Sequence, residues 1–587
     1  MKICFVNPPF KWEYGKFSRE SRSPAVAKSG VLYYPLWLIY AAAYAEKQGF
    51  EVEFLDAPAK RLDTEESLKK IAEKLLCDVN GEANEINSKK DNIDADNNDA
   101  LIDYERKIRG NNSEVECLFV LNTSTPSIES DAAFGKRLKE IYPKSFVYFV
   151  GTHPSSTPEE TLKNFRWIDG IARKEYDFTI SNIAGICAKF YDVEKAQGTN
   201  EAEKILYDEL SHLKGISYRM NKSVTVSCKM TENESDIAGL KTDGKFSARR
   251  LYDEKSKANI GESHNAGEII HNPDADYITD LDEIPMASKF IKEHLDYKDY
   301  FFAAAEYPEI QIFTGRGCPC RCNFCVYPQT MHGHKYRLRS PKNVVDEFKY
   351  IAENFPDVKE IVIEDDTFTI DKKRVSDICE LLIESRMNKR FKWLCNARVN
   401  TLDLDTMKLM KKAGCRLLIP GIESGTQEIL DNIKKGTTLT QVREYIRNTK
   451  KAGLLVHACY MVGNQGETKE TMEKTLKLAL ELNTDTAQFF PLIPYPGTEA
   501  YEWAKTNGYI KYGYTEYCKE DGTHNCVLNL PDLSGEEMVK FCDDARKKYY
   551  LRPGYILHRL WTGLKDPNDL KRSLKAFGQF KKYLFKK

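Results

Sequence analysis

Cys318, Cys322 and Cys325 fall in the run Gly315-Arg-Gly-Cys-Pro-Cys-Arg-Cys-Asn-Phe-Cys. Their three-then-two spacing lets one tight loop offer three thiolates to one face of a metal cluster. A cubane iron–sulfur cluster normally takes four thiolates, so three leave one iron open to an exogenous molecule. Phe324, just before the last cysteine, supplies an apolar wall. A structural zinc is the other reading of clustered thiols. It wants a fourth ligand, and His332 and His334 stand close by in the sequence.

The elements around this run must hold it. From about Glu309 the chain alternates strands with amphipathic helices: strands at Ile310 to Thr314, Glu360 to Glu364, Lys392 to Asn396, Arg416 to Gly421, Leu455 to Met461 and Thr486 to Leu492, with helices such as Lys342 to Asn354 between them. Six such units are too few for a closed eight-fold barrel. Chemistry in barrels gathers at the carboxyl ends of strands, and those ends carry polar residues here. Asp365-Asp366-Thr367 follows the second strand, Arg398 the third and Glu423-Ser424-Gly425 the fourth; Gly466-Glu467 follows the fifth and Pro494 to Thr498 the sixth. Each has a plainer alternative, since an Asp-Asp-Thr can cap a helix and a Glu-Ser-Gly can be a turn.

Ahead of these units the chain opens on a strand, Lys2 to Val6, a helix from about Pro35 to Gln48, and a strand, Glu51 to Leu55. Further strands are expected at Glu116 to Leu121, Phe146 to Val150 and Ile168 to Ala172. This order reads as an α/β doubly wound parallel sheet. Ligands of such sheets sit beyond the carboxyl ends of the strands, where this chain places Thr123, Ser124, Gly151 and Thr152. His153 lies at the same end. The polar run near 80–112 reads as an insertion, and a polar connector with a strand pair, Gly215 to Arg219 and Val224 to Cys228, precedes the six units. The expected division is 1–195, 196–300, 301–500 and 501–587, the last with helices Gly535 to Tyr549 and Lys571 to Leu584.

The cysteine run closely resembles the CxxxCxφC motif of the radical SAM superfamily, and the N-terminal pattern resembles the Rossmann-like cobalamin-binding domain found ahead of such cores. The likeness is closest to the cobalamin-binding radical SAM proteins linked to hopanoid biosynthesis, through Thr123-Ser-Thr-Pro-Ser, Ala172-Arg-Lys-Glu-Tyr, Glu364-Asp-Asp-Thr-Phe-Thr, Gly421-Ile-Glu-Ser-Gly and Ile433-Lys-Lys-Gly. The resemblance implies a partial (β/α)6 barrel, and a [4Fe-4S] cluster on Cys318, Cys322 and Cys325. It implies S-adenosylmethionine (SAM) contacts from Phe324, Asp365, Asp366, Arg398, Glu423, Ser424, Gly466 and Glu467. It also implies cobalamin near Thr123, Ser124, Gly151 and Thr152. Gly463-Asn-Gln-Gly-Glu departs from the family's usual Gly-Leu-Pro-Gly-Glu at the fifth strand. None of the ten histidines has an aspartate two residues before it, so the Asp-x-His-x-x-Gly mode of binding cobalt from below is not expected.

By the same resemblance, the reduced cluster cleaves SAM to a 5′-deoxyadenosyl radical, which takes hydrogen from an unactivated carbon that then receives a methyl group from methylcobalamin. The implied partners are a small-molecule, lipid-head-group or peptide substrate and a one-electron reductant, ferredoxin or flavodoxin. A closed, dry site between the two domains is expected, with the C-terminal region covering it. The alternatives are a rearrangement or ring contraction of a polyol or sugar head group without methyl transfer, and a metal or cobalamin sensor without catalysis.

Composition sets the outer limits. At 587 residues, 30% charged and 41% hydrophobic, the chain has the make-up of a soluble multidomain protein. A net charge of −1 speaks against a dedicated nucleic-acid or membrane surface. Sixteen cysteines, mostly single in apolar stretches, suit reduced thiols and a cytoplasmic location. The longest uncharged apolar run, Val31 to Ala45, is interrupted by Pro35 and is too short for a membrane span.

Overall fold

A computed structural model describes residues 1–27, 29–76, 114–220 and 267–565. The expected insertion near 80–112, the strand Val224 to Cys228 and the helix Lys571 to Leu584 lie outside the described residues. The chain forms two compact units. One holds Met1–Phe10, Trp37–Ile278 and Ile284–Ala287; the other holds Lys11–Leu36, Thr279–Glu283 and Ser288–Lys587.

The first unit is a seven-stranded sheet of β1 (Lys2–Asn7), β2 (Val52–Asp56), β3 (Cys117–Asn122), β4 (Phe146–Val150), β5 (Gly170–Ala172), β6 (Ile216–Arg219) and β7 (Ile269–His271), in the spatial order 2-1-3-4-5-6-7. The first five are parallel and the last two antiparallel. Ile3 to Val6 and Cys117 to Leu121 are buried without alternation, as parallel strands covered on both faces must be. The helices are α1 (Leu36–Lys47), α2 (Thr64–Leu76), α3 (Ile128–Ile141), α4 (Asp177–Gln197) and α5 (Thr199–His212). The order reverses between β1 and β3, the crevice where ligands of doubly wound sheets bind.

Part of the stretch read as a polar connector is therefore sheet. Buried Arg173 explains why. Its guanidinium donates to the carbonyls of Ile216 and Asn272, both at 2.5 Å, and pairs with Asp274 at 3.2 Å, which fastens β6 and the chain after β7 to the end of β5.

The second unit is built on six parallel strands that pair in chain order: β8 (Glu309–Ile312), β9 (Glu360–Ile363), β10 (Lys392–Ala397), β11 (Cys415–Glu423), β12 (Leu455–Val462) and β13 (Thr486–Pro491). Among the described residues β8 and β13 do not pair, so the barrel is open. The helices between them are α6 (Pro341–Asn354), α7 (Lys372–Glu384), α8 (Leu404–Lys412), α9 (Leu439–Ala452) and α10 (Lys469–Leu482). Each starts where a side-chain oxygen accepts an otherwise unpaired backbone N–H: Ser340, Asp371, Asp403, Thr438 and Thr468. After β9 the capping residue is thus Asp371, which leaves Asp365-Asp366 for other work.

Residues 11–36 belong to this unit although they lie far upstream of it. Lys16–Phe17 pairs antiparallel with Val26–Ala27, Leu32 bridges Phe301, and Tyr34 stacks on Tyr300 with ring centroids 3.9 Å apart. Helix α11 (Gly535–Tyr550) packs on β13, where the Tyr550 hydroxyl donates to the Ala487 carbonyl at 2.7 Å. Among the described residues no helix is long and apolar enough to cross a membrane.

The amino ends of the strands are locked by a buried ion pair. Arg416 on β11 meets Glu360 on β9 through two contacts, 2.7 and 2.8 Å, and Glu360 is fully buried. Removing one member leaves a buried charge uncompensated. Arg416→Met is expected to lower stability by about 3–5 kcal/mol, and adding Glu360→Gln should recover more than half of the loss. Denaturant midpoints of the parent and both variants check this.

Candidate functional site

The carboxyl ends of β8 to β13 open on a cavity of about 1850 Å³. Cys318, Cys322, Phe324 and Cys325 line it, together with Cys320 from the same loop. The loop is held by its backbone. The Gln329 side-chain amide donates to the carbonyls of Cys325 at 2.8 Å, Asn323 at 3.1 Å and Cys322 at 3.4 Å. His334 Nδ1 lies 3.1 and 3.0 Å from the carbonyl oxygens of Cys318 and Cys320. Gly317 has φ +84°, and a Cβ there would collide with the Lys335 carbonyl, so glycine is required.

A hydrogen bond with Cys320, and then burial, push the Cys318 thiol up; burial does the same to Cys325. Such thiols ionise when a metal takes them. Three soft sulfur donors on one loop suit an iron–sulfur cluster or zinc. Among the described residues the three thiols are not drawn together to the spacing of ligands on one ion. The two histidines that zinc could have used are engaged elsewhere, His334 with the loop carbonyls and His332 Nδ1 with Asp366 Oδ2 at 3.1 Å. The donor set fits a cluster.

The strand ends sort the expected contacts into two groups. Asp366, Arg398 and Glu423 line the cavity. Asp366 and His332 are buried as a pair; burial alone would raise the Asp366 carboxyl, but His332 and then Arg22 hold it below its ordinary value. Arg398 Nη1 points at Cys322 Sγ, 3.7 Å away. Glu423 sits at φ +67°, unusual for a residue with a side chain, and its carboxylate meets Lys435 Nζ at 2.7 Å. A Cβ on Gly421 would strike both members of that pair.

The other expected contacts turn inward. Asp365 accepts from the Thr314 amide and hydroxyl, both at 2.6 Å, so its two oxygens brace β8 against β9. The Ser424 hydroxyl faces those of Thr426 and Thr475, each at 3.3 Å. Glu467 accepts from the Gly463 amide at 3.2 Å and from the Thr471 hydroxyl at 2.5 Å, closing its own loop onto α10. Gly466, at φ +85°, serves that turn. Sequence reasoning reached these residues as ligand groups because a strand-end position does not show which side its side chain takes.

It did not reach the cavity-lining side chains of Glu364, Asn396, Lys435 and Arg22. Glu364 stands two residues before Asp366, just past β9, and lines the same cavity. Asn396 donates to Glu364 at 3.4 Å, and Lys435 lies over the Phe324 ring at 5.8 Å from its centroid. Arg22 comes from the upstream segment, with its guanidinium 3.8 Å from Glu364. The C-terminal region also contributes, through His524, Cys526, Cys542 and Arg546.

In the first unit, Thr123 donates to Asp131 at 2.6 Å, Ser127 donates to the same oxygen at 2.7 Å, and the Ser124 and Ser127 hydroxyls are 2.9 Å apart. These buried hydroxyls thus spend their hydrogen bonds within the strand end. Gly151, at φ +116°, lets the chain pass against the Thr123 carbonyl where a Cβ would collide, and Thr152 begins a short helix, Thr152–Ser156. His153 is buried with Nδ1 3.2 Å from the Thr125 hydroxyl.

A family model described as the radical SAM superfamily matches residues 312–479. An uncharacterised methyltransferase of Pyrococcus horikoshii is 31% identical over 422 residues, 68% of this chain and 89% of the relative. The anaerobic magnesium-protoporphyrin IX monomethyl ester cyclase of Cereibacter sphaeroides is 26% identical over 79% of this chain and 65% of its own. Among solved structures, the radical S-adenosylmethionine methyltransferase TsrM from Kitasatospora setae, with cobalamin and a [4Fe-4S] cluster bound, superposes with a TM-score of 0.53 at 15% identity, over 93% of this chain and 91% of that one.

Burial pushes the His153 imidazole from 6.5 down to about 3. The unfolded chain takes up this proton near 6.5 and the folded one only near 3, so the stability it contributes is complete above about 6.5 and is lost as pH falls towards 3. His153→Gln is expected to flatten the fall in stability between pH 7.5 and 5, read from denaturant midpoints. An unchanged pH slope would contradict a buried neutral imidazole.

Proposed function

We propose that this chain, which belongs to the radical SAM superfamily, is a cobalamin-dependent C-methyltransferase acting on an unactivated carbon. The observation that carries the reading is the cavity at the carboxyl ends of six parallel strands, where the thiols of the cysteine loop, the carboxylates of Glu364, Asp366 and Glu423 and the cations Arg22, Arg398 and Lys435 converge. When bound, a [4Fe-4S] cluster supplies the electron that cleaves SAM to a carbon-centred radical, and cobalamin supplies the methyl group.

Cys318, Cys322 and Cys325 would hold the cluster, with Phe324 walling off one side. Lys435 carries its charge against Glu423, so this buried pair adds no net charge beside the loop. Asp366, kept ionised by His332 and Arg22, and Glu364 beside it would accept the SAM amine, a cation that needs anionic or carbonyl acceptors. Asp365 supports them from behind by fixing the strand ends. In the first unit the crevice between β1 and β3 would take cobalamin. There Gly151 and Thr152 offer backbone, while Thr123 and Ser124 shape the strand end through Asp131 and Ser127.

The sequence resemblance to hopanoid-linked proteins favours a lipid or polyol head group as substrate, with ferredoxin or flavodoxin as reductant. The second reading is a rearrangement or ring contraction of a polyol or sugar head group without methyl transfer. A non-catalytic sensor has no observation in its support.

The test is anaerobic purification with hydroxocobalamin, reconstitution with iron and sulfide, and counting of iron and cobalt per chain. Four irons and one cobalt are expected, followed by labelled methyl in product when methyl-labelled SAM is supplied. Iron without cobalt, or turnover without labelled product, would overturn methyl transfer. Cys322→Ala should abolish both the cluster and 5′-deoxyadenosine formation, whereas Cys320→Ala should retain them. The reverse result would overturn the ligand assignment.

A further inference from the structure

Arg398 is a buried cation of this cavity without a carboxylate of its own. It is 8% exposed, and among the described residues no carboxylate lies within ion-pair distance of it. Its Nε donates to the Asn400 side-chain oxygen at 3.0 Å, and its Nη1 points at Cys322 Sγ at 3.7 Å. Its neighbour Lys435 is neutralised by Glu423, and His332 by Asp366. Gly436, at φ +62°, lies beside the guanidinium, with its missing Cβ 3.5 Å from Nη2, an ordinary contact distance.

A buried guanidinium without an anion carries a large desolvation cost. The one neighbouring group within hydrogen-bond distance that can become an anion is the Cys322 thiol, and it does so when it ligates metal. We propose that Arg398 is the charge partner of the Cys322 thiolate: a positioning residue that donates an N–H···S hydrogen bond to the cluster and raises its reduction potential. The inference rests on the cluster assignment of the preceding section.

The physics fixes the direction. Reduction adds negative charge to the cluster, and a fixed positive charge or hydrogen bond at a ligand sulfur favours the reduced state. Loss of the guanidinium therefore moves the potential to more negative values. The competing role is recognition of the SAM carboxylate, a fork-to-fork contact for which arginine is well suited. That role would affect SAM binding and leave the potential alone.

The experiment compares the reconstituted wild type, Arg398→Met and Arg398→Lys by an EPR-monitored redox titration without SAM, alongside SAM affinity. The expected result is a more negative midpoint for Arg398→Met at equal iron content, Arg398→Lys in between, and SAM affinity little changed. An unchanged midpoint in Arg398→Met overturns the inference, and an accompanying loss of SAM affinity of about tenfold or more would assign Arg398 to SAM. Should Arg398→Met take up no iron, pulsed EPR of the reduced wild type labelled with guanidino-15N arginine decides: one coupled nitrogen supports the inference and none overturns it. Wild-type protein that takes up no iron would refute the cluster assignment itself.

Discussion

The cysteine loop is gripped from its backbone side. Gln329 gathers three of its carbonyls and His334 two, while Asn323 at its centre is tied to the segment after β11, its amide donating to the Ile433 carbonyl at 3.1 Å. With its main chain satisfied in this way, the loop can present its thiols to the cavity without leaving polar groups unpaired. The rest of the unit builds on that constraint. The segment that receives Asn323 also carries Lys435 and Gly436 into place beside the Arg398 guanidinium, which reaches Cys322.

Charge is distributed by the same logic. Neighbouring carboxylates just past β9 divide their labour: Asp365 faces β8 and is consumed by Thr314, while Glu364 and Asp366 line the cavity. Asp366 stays ionised through His332 and Arg22, and burial pushes the Glu364 carboxyl up despite Arg22. The cavity thus presents the carboxylates Glu364 and Asp366 and the guanidinium of Arg398, while Lys435 and Glu423 offset each other. A cationic sulfonium ligand and an anionic cluster call for such a division.

Most of the architecture was legible in the sequence. The strands of both sheets other than β7, which was not expected, fall within a few residues of where apolar runs and turn residues place them, because parallel strands buried on both faces leave an unmistakable run of apolar residues. The cysteine loop was legible from spacing alone. What pattern cannot show is which side a loop side chain takes: Asp365, Ser424 and Glu467 occupy strand ends like ligand groups but close local hydrogen bonds. Arg22 was invisible because only the fold returns residues 11–36 to a barrel that begins some three hundred positions later. The pairing of Glu423 with Lys435 was equally hidden, since it depends on a left-handed backbone at Glu423 that no residue type announces. The strand β6 was legible, whereas its joining the first sheet depends on Arg173.

The central claim is that three thiolates hold a cluster with one iron left for SAM. Mössbauer spectroscopy of protein reconstituted with 57Fe, with and without SAM, tests it most directly. The account predicts that SAM shifts the signal of a single iron of the cluster towards higher coordination and leaves the others unchanged. A spectrum that does not respond to SAM, or that responds equally at every iron, would contradict it.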